Sequence, residues 1–407
     1  MTIRLNKNLI YNINWRKRVF LLIFLLLVLV LLLGCNSKYV SADSSENDIE
    51  IEISQVVYDI IGGLNLGELE DIVQDIDDFG LFDGSVKDKI VSIVSGEYFS
   101  NYSNLLKALL SLVVGDIREF LPFFLSILAV GILASLMTEF RIDNNSSVGD
   151  IVHFACFGIM ITTILIVFKD VLSYTSDTLN LILKQIHIIF PILITLLTSI
   201  GSLTSISIFN PLVAVLSTVV SVVFDKLLYP MFILMFILSI LGNLTNSLKL
   251  DKMQGFLTSS FKWIVGIIFT LFSGFLTIQG ITAGKFDGVS IKATKFAVKS
   301  YIPIIGSYIA DGMDFIALGS VLVKNTIGLV GILILFITII SPIIMILTLK
   351  LGLQLTSAVL EMSGADKMSN FVSMCAKILI YPIVLILGVA FMYIITVALI
   401  MCTANIF

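Results

Sequence analysis

The sequence predicts an all-α, polytopic helical membrane protein with about eight spans after an N-terminal signal segment. Of its 407 residues, 57% are hydrophobic and only 13% are charged, with a mean hydropathy of +1.05. Soluble domains carry about 25% charged residues. Apolar runs near bilayer length, about 20 residues, follow one another from residue 120 to the end. Charge is unevenly spread. Residues 1–42 hold six bases and no acids, residues 43–118 hold 16 acids and four bases, and residues 119–407 hold 15 bases and 13 acids. Lys and Arg are retained on the cytoplasmic side of membranes while acidic stretches cross with little penalty. Three parts follow: a signal (1–42), an acidic extracytoplasmic helical domain (43–118) and a multi-span membrane domain (119–407).

The signal is built from Arg16, Lys17 and Arg18 followed by 15 apolar residues, 19–33, the basic and apolar regions of an export peptide. Two processing readings compete beyond it. Val40-Ser41-Ala42 offers the small residues that signal peptidase accepts, whereas Leu32-Leu33-Gly34-Cys35 resembles the site at which bacterial lipoproteins are acylated, here on Cys35. Retention as an uncleaved anchor is the third alternative. All three put the acidic segment outside. Within that segment Leu66, Leu69, Ile72, Val73 and Ile76 share one stripe of a helix, and Val86, Ile90 and Val94 form a second. About 75 residues make a marginal core, so packing on the membrane domain or on a partner is expected.

Eight candidate spans follow: 120–137, 151–168, 187–208, 211–241, 261–281, 302–323, 327–349 and 375–401. The fourth contains Asp225-Lys226 and reads either as one kinked helix or as two short pieces. Lys262-Trp263 opens the fifth with a cation and an aromatic suited to the headgroup layer. Pro191 and Pro230 lie 39 residues apart, as do Pro303 and Pro342, and the second pair is displaced from the first by 112. A three-span unit repeated at that interval would sit inverted in the bilayer, as in many transporters. The four prolines are the candidate hinges, with Gly306, Gly312 and Gly319.

Ionisable groups at bilayer depth cost about 2.5 kcal/mol or more and usually face a cavity, a pathway or a partner charge. Asp225, Lys226, Asp311 and Asp314 are the candidates for a polar pathway or an assembly contact. The spacing of three sets Asp311 and Asp314 on one helix face. Against this, Asp225-Lys226 also reads as a loop, and 302–323 as an interfacial helix with its aspartates in water. Lys285, Lys292, Lys295 and Lys299, opposed only by Asp287, form a basic loop. With eight spans it falls in the cytoplasm, where it reads as a lipid-headgroup contact or a docking site.

Cys35, Cys156, Cys375 and Cys402 show no CxxC pairing, and His153 and His187 lack metal-ligand spacing. No GxxxxGK[ST] or GxGxxG follows a strand-like run. No metal, cofactor or nucleotide site is therefore expected. Nothing specifies an enzyme: Asp311 and Asp314 share one segment and lack the Gly-Asp motif of an intramembrane protease. Energy would come from a gradient or a partner.

Residues 279–331, QGITAGKFDGVSIKATKFAVKSYIPIIGSYIADGMDFIALGSVLVKNTIGLVG, resemble the central signature of the stage III sporulation protein AE family of endospore-forming bacteria. The order of parts agrees, with LPFF at Leu121 to Phe124 opening the membrane domain. Leu-Leu-Gly-Cys at the end of the signal departs from the family pattern. The resemblance implies a mother-cell membrane protein of the channel, or feeding-tube, complex that links mother cell and engulfed forespore and supports late forespore gene expression. Its implied partners are ring-forming and other membrane proteins, a cytoplasmic secretion-type ATPase, a forespore-side protein and membrane lipid, with no nucleic acid. The competing expectation is an autonomous secondary transporter that couples ion or proton flux through Asp225, Lys226, Asp311 and Asp314.

Overall fold

A computed structural model describes residues 59–64, 66–76, 85–94, 102–139, 147–244, 250–301 and 305–403. The signal, Cys35 and most of the acidic segment up to residue 58 lie outside the described residues.

Two short helices come first, α1 (Gly67–Ile76) and α2 (Val86–Val94). Their apolar stripes are buried as the spacing requires: Leu66, Leu69, Ile72 and Val73 on α1, Val86 and Ile90 on α2. Capping fixes the start of α2. The Ser85 hydroxyl accepts the Lys87 amide at 3.1 Å, and the Glu70 carboxylate of α1 accepts the Val86 amide at 3.3 Å, which satisfies two donors that a helix start leaves open. α1 rests on α4 and α2 on α8.

The long helices are α3 (Tyr102–Glu139), α4 (Ser147–Ile200), α5 (Leu203–Thr218), a π-helical stretch (Val219–Leu228), α6 (Tyr229–Leu244), α7 (Asp251–Tyr301), α8 (Gly306–Met362), α9 (Asp366–Ile378) and α10 (Ile380–Cys402). No strand occurs among the described residues. Six helices are long and apolar enough to cross a membrane: Leu109–Met137, Ile151–Ile200, Leu203–Asn243, Lys252–Ile278, Gly306–Met362 and Asp366–Cys402. The chain is an all-α polytopic membrane protein, with six such helices among the described residues where the sequence suggests about eight spans.

The difference has a physical cause. Polar residues that fall between two candidate spans, such as Lys169, Asp170 and Lys184, lie inside α4, so spans 151–168 and 187–208 share a helix up to Ile200. That helix stops at Gly201, whose φ of +83° suits glycine. Spans 302–323 and 327–349 likewise fuse into α8, whose 57 residues run about 85 Å. The run 211–241 lies within one helical path through α5, the π-helical stretch and α6. The boundary drawn at residue 118 falls inside α3, so the change from acidic to apolar composition occurs along one helix.

Specific contacts give the helix directions. Phe124 meets Gly352 and Gly131 meets Leu360, so α3 and α8 run the same way. Gln185 meets Thr338 while Ile189 meets Gly331, so α4 runs opposite. Thr403 meets Lys324 and Tyr393 meets Gly331, so α10 is also antiparallel to α8. Phe261 meets Tyr381 edge-on and Phe269 lies tilted against Phe391, which makes α7 parallel to α10. Asp287 meets Thr204 and Thr258 meets Met235, so the α5–α6 path opposes α7. The six crossings alternate.

One end of the bundle thus gathers the start of α3, the end of α4, the start of α5, the end of α7, the start of α8 and the end of α10. With each of these helices crossing once, four crossings, in place of five, separate the acidic segment from Lys292, which removes the parity that puts the basic stretch in the cytoplasm. Single cysteines replacing the exposed Lys87 and Lys292, in a cysteine-free chain, are expected to react with an impermeant maleimide from the same side of the membrane. Labelling from opposite sides would overturn the alternation.

Packing centres on α8, which touches α3, α4, α7, α9 and α10 as well as α1 and α2. Glycines let neighbours approach its backbone. A Cβ on Gly328 would stand 2.6 Å from Met401, one on Gly331 2.9 Å from both Ile189 and the Tyr393 hydroxyl, and one on Gly352 would strike the Phe124 ring. Such notches drive association where no hydrophobic effect separates helix from lipid. Gly352→Ala should destabilise the detergent-solubilised protein by about 1–3 kcal/mol, read by thermal unfolding, and Phe124→Leu in the same chain should restore part of the loss.

Candidate functional site

Two groups of residues singled out separately in the sequence meet in space. Lys295 and Lys299 lie one turn apart near the end of α7, and Asp311 and Asp314 lie at i, i+3 near the start of α8. The helices are antiparallel, so the pairs nest. Lys299 Nζ is 3.2 Å from Asp311 Oδ1, and Lys295 pairs with Asp314. The outer pair is about half-exposed and, by the usual surface measure, contributes about 0–1 kcal/mol; its partner pair is less exposed. The four side chains clasp the α7–α8 hairpin. Asp311 and Asp314 are thereby engaged by lysines of the neighbouring helix. Lys292 is exposed on the same hairpin, and the side chain of Lys285 lies outside the described residues.

Asp287, read in the sequence only as the acid opposing the lysines, has a defined task. It is buried on α7, with one carboxylate oxygen accepting the Thr204 amide at 2.9 Å and the other the Ser205 amide at 3.1 Å. The Ser205 hydroxyl donates to it as well. It caps α5 from a neighbouring helix, in the place that Ser202, whose side chain makes no cap bond, leaves open. A buried carboxylate is tolerated there because free amides and the positive end of the helix dipole converge on it. Asp287→Ala should cost about 1–3 kcal/mol, since it leaves buried amides unpaired, whereas Asp287→Asn keeps one acceptor oxygen and should cost less. Thermal unfolding of the purified protein measures both.

Lys324 mirrors this arrangement. Fully buried on α8, its ammonium donates to the backbone carbonyl of Thr403, the C-cap of α10. A cation at a helix C-terminus meets the negative end of the dipole and an acceptor with no intrahelical donor. The sequence reading passed over Lys324; a lone lysine just before the 327–349 apolar run was the available signal.

Asp225 and Lys226 are exposed on the π-helical stretch. The Tyr229 amide bonds to the Phe224 carbonyl, five residues back. Pro230, which follows, has no amide to give, so the wider winding and the proline free neighbouring carbonyls and mark a bend. The Asp225 and Lys226 side chains both face outward from the bundle. Pro191 lies exposed inside α4 and Pro342 buried inside α8. Pro303 falls outside the described residues, between α7 and α8. Gly306 is buried at the start of α8, Gly312 is exposed and Gly319 is buried.

The bundle centre holds a neutral polar contact that sequence reasoning also missed. The buried Gln185 amide on α4 donates to the Thr338 hydroxyl on α8, which donates in turn to the Ile334 carbonyl. Gln185 sits one helical turn before Ile189, which packs on Gly331 beside Tyr393. Phe190 meets Tyr393 edge-on at 5.8 Å. Cys156 and Cys375 are buried and Cys402 is exposed, and His153 stacks on Phe157.

Comparison with known proteins adds what geometry cannot. The family model for stage III sporulation protein AE matches residues 85–404, from the start of α2 to the end of α10. Stage III sporulation protein AE of Bacillus subtilis (strain 168) is 24% identical over 330 residues, covering 80% of this chain and 82% of that protein. No solved structure matches. With four-fifths of its length matched by one family model, including the 279–331 run, the chain belongs to the stage III sporulation protein AE family.

Proposed function

We propose that the chain is a membrane component of the channel complex connecting mother cell and engulfed forespore, residing in the mother-cell membrane around the forespore and supporting forespore development. The family match over residues 85–404 carries this reading. The sequence, which lacks a phosphate-binding loop, favours energy supplied from outside the chain, by a secretion-type ATPase among its partners. On this reading the acidic segment lies between the two membranes. The end of the bundle that carries α1, α2 and the α7–α8 hairpin then faces the same space and offers an extramembrane surface to ring-forming and forespore-side proteins.

A self-sufficient ion-coupled transporter needs its carboxylates in the bundle core. Asp311 and Asp314 are held by lysines on the hairpin and Asp225 is exposed, so no observation favours that second reading. Affinity purification of the tagged chain from sporulating cells is expected to recover a cytoplasmic ATPase together with ring-forming membrane proteins. Recovery of the chain alone, with normal forespore development in a deletion strain, would reject the proposal.

A further inference from the structure

Between Leu203 and Leu244 the only charged side chains are Asp225 and Lys226. Helix contacts give their depth. α10 is 23 residues or about 35 Å long and carries no charge, so it matches the hydrocarbon core, and Phe391 is its midpoint. Phe269 of α7 lies against that ring. α7 opposes the α5–α6 path, with Asp287 at Thr204 and Thr258 at Met235. Interpolation between those two contacts sets Asp225 level with a point on α7 within about one turn of Phe269. Both charges therefore lie near mid-depth.

The winding of the chain turns them outward. On the buried side Leu212, Leu216, Val220, Phe224 and Leu228 recur every fourth residue, and the π-helical turn from Phe224 to Leu228 leaves Asp225, Lys226 and Leu227 together on the exposed side. Val222 and Leu227, each 46% exposed, are their apolar neighbours. Among the described residues, neither charge has an ion-pair or side-chain hydrogen-bond partner. Snorkelling serves lysines near helix ends, and an aspartate is too short for it. A charge on an outer face at this depth calls for a partner charge. The same face admits a close neighbour: Ala214, Thr218 and Ser221 lead up to Asp225 on the exposed side, and the Thr218 hydroxyl is already bonded to the Ala214 carbonyl.

Adjacency of the acid and the base identifies the neighbour. Copies of one chain share one orientation in a membrane, so the axis relating them runs along the membrane normal and equal residues meet at equal depth. A lone Asp or a lone Lys would then repel itself. Adjacent residues differ in height by about 1.5 Å or less, so acid and base can pair reciprocally at one level. We infer that this face of the α5–α6 path is where a second copy of the chain docks within the membrane, Asp225 of each copy pairing with the partner's Lys226. The inference does not rest on the channel complex proposed above, and purified protein alone tests it.

The full chain, cysteine-free except for Val222→Cys, is reconstituted in phosphatidylcholine liposomes at graded protein-to-lipid ratios and treated with a short bismaleimide. A cross-linked pair of chains is expected. Neutralising both charges, Asp225→Asn with Lys226→Met, should demand about ten times the protein density for the same cross-linked fraction, with thermal unfolding unchanged because both side chains are exposed. Exchanging them within one chain, Asp225→Lys with Lys226→Asp, should keep the cross-link. Asp225→Lys and Lys226→Asp in separate chains should each lose it alone and regain it when mixed, between unlike chains only. A chain that stays monomeric at every density would overturn the proposal by giving the charges to lipid, to another part of the same chain or to a different protein. Cross-linking that survives neutralisation at full yield would overturn it by removing the charges from the contact.

Discussion

The rest of the structure depends on α8 remaining one unbroken helix. In lipid, backbone amides and carbonyls must pair within the segment, so a helix of 57 residues is a self-satisfied rod against which other helices can be fixed in register. Its glycines set that register. Gly328 and Gly331 admit α10 and α4, and Gly352 admits the Phe124 ring of α3. Each neighbour is held where a side chain enters a notch, which is how van der Waals contact selects one arrangement when lipid and protein are equally apolar. Pro342 is accommodated within this rod without ending it.

How much of this was legible in the sequence depended on which signal was local. Amphipathic spacing located α1 and α2, and the buried Leu69, Ile72, Val86 and Ile90 are the residues it named. Total hydropathy gave the class. Span limits drawn by hydropathy break helices where polar residues fall within them, because a 30 Å hydrocarbon slab limits only the apolar part of a helix and leaves its extramembrane length free. Lys169 to Lys184 and Lys285 to Lys299 look like loops to a hydropathy window and are helical in the fold. Asp311 and Lys299 were both noticed, yet their pairing is a tertiary fact, set by a hairpin that neither segment specifies alone. Asp287 and Lys324 carried no pattern because each acts on a helix terminus contributed by another part of the chain.

Those two residues share a logic. Among the described residues, Asp287 and Lys324 are the fully buried ionisable side chains, and each is held by backbone groups at a helix end. The acid meets the N-terminus of α5 and the base the C-terminus of α10. Each sign matches the partial charge of the helix end it faces. A buried ion pair would require two desolvated charges in close geometry; a helix end supplies its partial charge from backbone groups that are already in place. Both sites lie toward the same end of the bundle, and they tie α7 to α5 and α8 to α10.

With the buried charges committed in this way, the middle of the bundle is left with neutral polar groups. Gln185 and Thr338 link α4 to α8 by a hydrogen bond whose strength does not change with pH in the physiological range, and Tyr393 packs beside them against Gly331. Such contacts fix helix rotation. Among the described residues, the charged groups that remain exposed, Asp225, Lys226, Lys292 and the hairpin pairs, lie on surfaces other molecules can reach. The distribution suits a protein whose interior is built for rigidity and whose charged and aromatic surfaces are built for contact.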